Sequence, residues 1–139
     1  DFRIGVTGAR FSMPASRIGL HYYPSGMRRY VERLGPHVAK RLFLLGEHVP
    51  YERMADWGYF DELVAPDALA ATVDRFAAQI TAGQPTVMRQ MKHHVNQIAR
   101  GRYAPAEIQR DHAASLASAD LAEGLAAFAG KRAPRFTGR

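Results

Sequence analysis

Residues 11–26, FSMPASRIGLHYYPSG, constrain this chain more than any other stretch. Pro14 disfavours helix at Met13 and fixes its own φ, so a short irregular turn or helix is expected through Ile18. Gly19 then permits a conformation that residues with a Cβ avoid. His21-Tyr22-Tyr23 reads as a loop, closed by Pro24-Ser25-Gly26. So much special backbone chemistry does not suit a plain core segment. A loop that delivers the chain into a helix N-terminus can present backbone N–H groups to an anion, although many such loops bind nothing.

The flanking sequence supplies short strands before this stretch and helices after it. Residues 2–6 alternate in character and include β-branched residues, which predicts a strand. Gly8 offers a turn, and Arg10–Ser12 is a candidate second strand. The chain thus opens directly in a strand, as if inside a fold. Met27, Tyr30, Val31 and Leu34 recur at helical spacing, so residues 26–34 read as helix. Gly35-Pro36 ends that helix and starts another, with Val38, Leu42 and Leu45 as its apolar stripe and Gly46 as its stop. Pro50 opens a short helix through Asp56, ended by Gly58, and Tyr59–Val64 is a third short strand.

Helices follow. Leu69, Val73, Phe76, Ala77 and Ile80 mark one face of a helix begun by Pro66. After the break at Gly83-Gln84-Pro85, Val87, Met88, Met91, Val95 and Ile98 mark the next, which stops at Gly101. Another runs from Pro105 to Leu116. Asp120-x-x-Glu123 has capping-box spacing, and Leu121, Leu125 and Phe128 are the expected buried face of the last helix. Lys131-Arg132 is expected in its final turn, where cations suit the helix dipole. Pro134 stops it, and the tail from Phe136 to Arg139 is expected to be loose unless another subunit holds it. Three short strands cannot make a stable sheet alone, so either strands are missed or another chain supplies them.

The 139 residues suit one domain, and 47% hydrophobic content can build a core. No apolar run approaches the ~20 residues needed to cross a bilayer. The absence of cysteine excludes disulfides and Cys-ligated zinc, and a cytoplasmic protein is expected. The formal charge of +6 suits polyanions or phosphorylated small molecules. The basic residues are scattered, however, and no nucleic-acid motif appears, so nucleic acid is not favoured as a partner. His93 and His94 are adjacent and point to different helix faces, and His37, His48 and His112 are dispersed. No metal-ligand spacing is present, and no metal is expected.

Taken in order, these pieces resemble the second half of the crotonase (enoyl-CoA hydratase/isomerase) superfamily. Asp1–Ile4 is similar to that family's CDxRIA strand. Ala9–Pro14 resembles AxFxxPE, Ile18–Leu20 its LGL step, and Leu45–Glu47 its TGD turn. Asp56–Val64 resembles AxxxGLVxxVV. Ser118-x-Asp120-x-x-Glu123-Gly124, continuing through Ala127-Phe128, Lys131-Arg132, Pro134 and Phe136, looks like the family's C-terminal signature. The resemblance implies an α/β fold. Residues 1–64 would be the C-terminal part of a crotonase-like spiral core, and residues 65–139 a helical trimerisation and CoA-covering region. It also implies an acyl-CoA thioester substrate, no metal, and a homo-trimer or hexamer. Family members stabilise a thioester enolate with two backbone N–H donors, each worth ~3–4 kcal/mol. In the family both lie upstream of the position of Asp1, so this chain alone is expected to be inactive.

Ala15 stands where hydratases of this family carry a glutamate. Alanine cannot transfer a proton, which puts the two-glutamate mechanism in doubt. The loop Pro14-Ala15-Ser16, Gly19, Tyr22, Ser25-Gly26 is more similar to the methylmalonyl-CoA decarboxylase branch, in which a tyrosine at the Tyr22 position lies beside the substrate carboxylate. Tyr22 is therefore a candidate substrate contact. His21 is a candidate acid, base or carboxylate partner, since its reference pKa is near ~6.5. Phe128 and Lys131, on one helix face, are the candidates for the CoA adenine and phosphates. The expected activity is isomerase- or decarboxylase-like. The alternatives are a hydratase using one upstream glutamate, or a non-catalytic module that binds acyl-CoA or RNA.

Overall fold

The computed structural model describes residues 1–138. Its described residues group into two compact units, Asp1–Arg75 and the residues from Phe76 onward.

The first unit contains two pairs of short strands. β1 (Ile4–Val6) runs parallel to β4 (Glu62–Val64), with Gly5 opposite Leu63. A Cβ at Gly5 would meet the Phe60 ring at 2.7 Å, so only glycine lets that ring cross the strand. β2 (Arg10–Ser12) pairs antiparallel with β3 (His48–Pro50). β3 is the strand absent from the sequence reading, which placed Pro50 at a helix start. The fold uses it for both purposes, because α2 (Tyr51–Asp56) begins at the next residue. A 3-10 turn spans Pro14–Ile18, and Gly19 closes it at φ 71°.

α1 spans Pro24–Leu45 and is interrupted at Gly35, whose φ of 72° and ψ of 166° lie outside the helical region. Glycine makes that break cheap, and Pro36 restarts the helix without needing an N–H. Arg17 donates to the exposed Leu45 carbonyl at 3.2 and 3.0 Å, tying the turn to the end of α1. The core lies between these elements. Met13, Ala15, Leu42, Val49 and Met54 are buried together, with Phe11, Tyr22, Tyr30, Phe43, Tyr59 and Phe60 packed around them. Leu45, expected on the buried stripe, is 50% exposed. α3 (Leu69–Thr81) follows a 3-10 turn at Pro66–Ala68. Arg75 pairs with Glu62, which ties α3 to β4.

The second unit is helical: α4 (Pro85–Ala99), α5 (Pro105–Leu116) and α6 (Ala119–Ala129). Several expectations about its end are corrected. The cap of α6 is Ser118, whose Oγ accepts the Leu121 N–H at 3.1 Å. Asp120 lies inside the helix and is buried. It accepts Gln84 Nε2 at 2.9 Å and the N–H groups of Thr137 (2.8 Å) and Gly138 (2.7 Å). The tail is therefore pinned as far as Gly138, and Arg139 lies outside the described residues. Secondly, Leu121, Leu125 and Phe128 are 37%, 62% and 86% exposed, so they do not form a buried face within this chain. Thirdly, Lys131 and Arg132 lie just beyond α6, and the Arg132 guanidinium meets Glu123 at 2.6 and 2.9 Å.

Candidate functional site

The loop between the Pro14–Ile18 turn and α1 delivers its aromatic side chains to a cleft of about 250 Å³ in the first unit. Tyr22, Tyr23 and Gly26 line one part of it, and Arg29, Tyr30, Arg3 and Tyr59 the rest. Gly26 makes this possible. A Cβ there would fall 2.3 Å from Tyr22 Cε1 and 2.8 Å from Tyr23 Cζ, so any larger residue would displace both rings. The Tyr22 ring is held by Tyr23 (centroids 4.5 Å apart), Phe43 (5.3 Å) and Tyr30 (6.4 Å). Tyr59 stacks on Tyr30 at 6.4 Å.

Arg3 comes from the start of the parallel strand pair. Its N–H donates to Asp61 Oδ2 at 2.6 Å, while Arg33 donates to Asp61 Oδ1 at 2.9 Å. Burial works against the Asp61 charge, but these two donors outweigh it and hold its pKa below the ordinary value. Fixed in this way, the Arg3 guanidinium lies 5.1 Å from the centre of the Tyr59 ring, within cation–π range.

Two phenols of the cleft, Tyr22 and Tyr30, stay neutral at physiological pH. The Tyr22 pKa is raised, first by its hydrogen bond with the Tyr23 side chain and then by burial. Burial pushes Tyr30 up to about 12, helped by the neighbouring phenols. Among the described residues that line the cleft, none is a carboxylate. The cleft can therefore donate hydrogen bonds and offer positive charge to an anionic or carbonyl-bearing ligand, and it has no carboxylate base of its own.

The residues singled out from the sequence fall in four places. Tyr22 is in the cleft. His21 is exposed, with Nδ1 2.9 Å from the Tyr22 carbonyl oxygen. Ala15 is 5% exposed within the core cluster, and its carbonyl accepts the Leu20 N–H at 2.9 Å. Phe128 and Lys131 belong to the second unit, where the Lys131 N–H donates to the Phe128 carbonyl at 3.2 Å. Lys131 has a φ of 49°, and among the described residues it is the one non-glycine residue at positive φ.

Sequence reasoning missed Arg3, Arg29, Tyr30 and Tyr59 as cleft residues. Arg29 had a usable signal: three residues after Gly26, it shares that helix face. Arg3 and Tyr59 had none, because the β1–β4 pairing brings them together from opposite ends of the unit.

Comparison with known proteins gives this geometry its context. The model of the enoyl-CoA hydratase/isomerase family matches residues 1–139. The chain is 26% identical to a carnitinyl-CoA dehydratase of Salmonella typhi, over 100% of this chain and 56% of that protein. It is 31% identical to a 1,2-epoxyphenylacetyl-CoA isomerase of Escherichia coli K12, over 100% of this chain and 54% of that protein. A crystal structure of an enoyl-CoA hydratase/carnitine racemase from Magnetospirillum magneticum superimposes with a TM-score of 0.90 at 28% identity, covering 100% of this chain and 52% of that one. An enoyl-CoA hydratase from Mycobacterium tuberculosis H37Rv gives a TM-score of 0.86 at 27% identity, with 56% of its chain covered. The chain spans about half the length of these relatives. Its fold is the crotonase fold, and the chain belongs to the enoyl-CoA hydratase/isomerase family.

Proposed function

We propose that this chain forms part of an acyl-CoA-binding enzyme that works through a thioester enolate, with isomerase- or decarboxylase-like chemistry. The observation that carries this reading is Ala15. By the resemblance of its motif it stands where the family's hydratases hold a glutamate, and it is buried among Met13, Leu42, Val49 and Met54. A methyl group there can neither deliver nor accept a proton.

The cleft supports the reading from the other side. Arg3 and Arg29 offer positive charge, and the raised pKa of Tyr22 keeps its hydroxyl a donor. A carboxylate on the acyl group could accept that hydrogen bond and be held out of the thioester plane. In decarboxylation its C–C bond electrons would flow into the thioester and CO2 would leave. The resulting enolate would be held by backbone donors outside this chain and then protonated at carbon from solvent. Phe128 and Lys131 would contact the CoA adenine and phosphates. The exposed apolar helix faces of the second unit would be covered in a homo-trimer or hexamer. A second reading, one-glutamate hydration or dehydration, is favoured by the relatives named dehydratase.

The test assays the full-length protein with methylmalonyl-CoA, a 3-enoyl-CoA and a 2-enoyl-CoA. The expected result is turnover of one of the first two, with hydration of the third at least ~100-fold slower, the scale of a missing acid–base group. Hydration as the fastest reaction overturns the proposal in favour of the second reading. Tyr22→Phe keeps the ring packing and removes the hydroxyl. It should lower kcat/KM by about 10- to 100-fold, as for loss of a hydrogen bond to a charged group. An unchanged value would make Tyr22 a packing residue.

A further inference from the structure

We infer that His93, His94 and Glu107 form a binding site for a first-row divalent cation of the Zn2+ type. The two histidines are adjacent on α4, and successive side chains diverge by ~100° on a helix, so the pair alone makes no chelate. The fold adds the third group. α5 packs beside α4 and presents Glu107 from its first turn. One ligand atom from each of the three residues then lies within 4.8 Å of the others. The two imidazole rings face one region, with centroids 5.4 Å apart and planes inclined by 72°.

A zinc ion ~2.0–2.2 Å from each ligand sets the ligands about 3.3 Å apart in a tetrahedron. The closure required from the observed spacing is at most about 1.5 Å on that geometry. His93 and Glu107 are both exposed, so side-chain rotation can supply it. His94 is different, because it is half-buried and already oriented. Its Nε2 lies 2.9 Å from Asp111 Oδ2, one helical turn beyond Glu107 on α5. A carboxylate in that position accepts a hydrogen bond from Nε2–H, which leaves the lone pair on Nδ1. This is the support that metal-binding imidazoles ordinarily have.

The donor set selects the cation. Two imidazoles and a carboxylate suit Zn2+, Co2+ or Ni2+, whereas Mg2+ and Ca2+ require shells dominated by oxygen. Three protein ligands leave the fourth tetrahedral position to water or to a donor from another molecule.

The test is calorimetric titration of the 139-residue chain with ZnCl2 near neutral pH, with MgCl2 as the control. A saturable Zn2+ site is expected, with no heat from Mg2+. His93→Ala and Glu107→Gln should each weaken it by at least about tenfold, and Asp111→Asn by about 10- to 100-fold. His112→Ala, on the same helix, should leave it unchanged. Far-UV circular dichroism checks the fold of each variant. If the half-buried positions do not tolerate change, His93→Ala and Glu107→Gln decide, because both residues are exposed. Zn2+ affinity weaker than ~1 mM, or affinity unaffected by His93→Ala and Glu107→Gln, overturns the inference.

Discussion

In residues 1–75, Met13, Ala15, Leu42, Val49 and Met54 are buried against one another, and a ring of aromatic side chains covers them. In residues 76–139, only Asp120 and Ala127 are buried among the described residues, while Met91, Val95, Ile98, Leu116, Leu125 and Phe128 are each at least 50% exposed. The first unit is held by removing apolar surface from water, at about 25 cal/mol per Å². The second is tied by polar clasps: Asp120 gathers Gln84 and the tail, and Glu123 gathers Arg132 and the Arg135 N–H. Similar apolar stripes in the sequence therefore have different fates. Before residue 75, Tyr30, Leu34, Val38 and Leu42 close on their own chain while Val31, Leu45 and Val73 stay exposed; the stripes after it present the kind of face that the proposed oligomer would cover.

The largest expected effect tests that contrast directly. Met54 is 1% exposed, and Met54→Ala should cost about 2–5 kcal/mol in urea unfolding of the chain. Leu125 is 62% exposed, and Leu125→Ala should change stability by less than ~0.5 kcal/mol in the same experiment. Comparable losses from the two would break the contrast, since Leu125 would then be buried in solution.

A second prediction concerns the clasp itself. The backbone N–H of Thr137, then Gln84 and the other tail donors, hold Asp120 down from 3.8 to about 2. The Arg132 guanidinium, with the Arg135 N–H, holds Glu123 down from 4.5 to about 2. A carboxylate whose pKa is lowered by folding stabilises the folded form fully above its ordinary pKa, and loses that contribution as pH falls through the folded value. The tail should thus be held at neutral pH and released progressively between about pH 4.5 and 2. Hydrogen exchange at the Thr137 and Gly138 amides reports this, and Asp120→Asn should release the same amides at neutral pH. Continued protection in Asp120→Asn would show that something other than the carboxylate pins the tail. The core of residues 1–75 has no comparable dependence on these two groups.

The same contrast explains what could be read in advance. Local rules worked where local chemistry decides: Pro14 and Gly19 bound the 3-10 turn, and Gly35-Pro36 breaks α1. They failed where a distant partner decides. His48-Val49-Pro50 is too short to register as a strand by itself, and it exists because it pairs with Arg10–Ser12. The Asp120-x-x-Glu123 spacing satisfies a capping rule. However, Ser118 already caps the helix, and both carboxylates are engaged by residues 9 to 18 positions downstream. In the candidate cleft, Tyr22 was legible from its loop. Arg3 was not, because its anchor, Asp61, is 58 residues away.

The smallest expected effect sharpens the comparison at the level of backbone. In residues 1–75 every left-handed position is a glycine: Gly8, Gly19, Gly35, Gly46 and Gly58. The second unit departs from this at Lys131, with φ 49°. A side chain in that region costs roughly 1–2 kcal/mol against a helical conformation, and such residues cluster where function requires them. Lys131→Gly separates the two explanations. It relieves the strain while adding unfolded-state freedom, so stability should shift by less than ~1 kcal/mol. It also removes the ammonium group proposed to meet the CoA phosphates, so affinity of the full-length protein for CoA should fall by about fivefold, the scale of an exposed ion pair. Unchanged CoA affinity alongside a gain in stability would mark Lys131 as a strained helix terminus with no part in binding, and would leave Phe128 without its proposed companion.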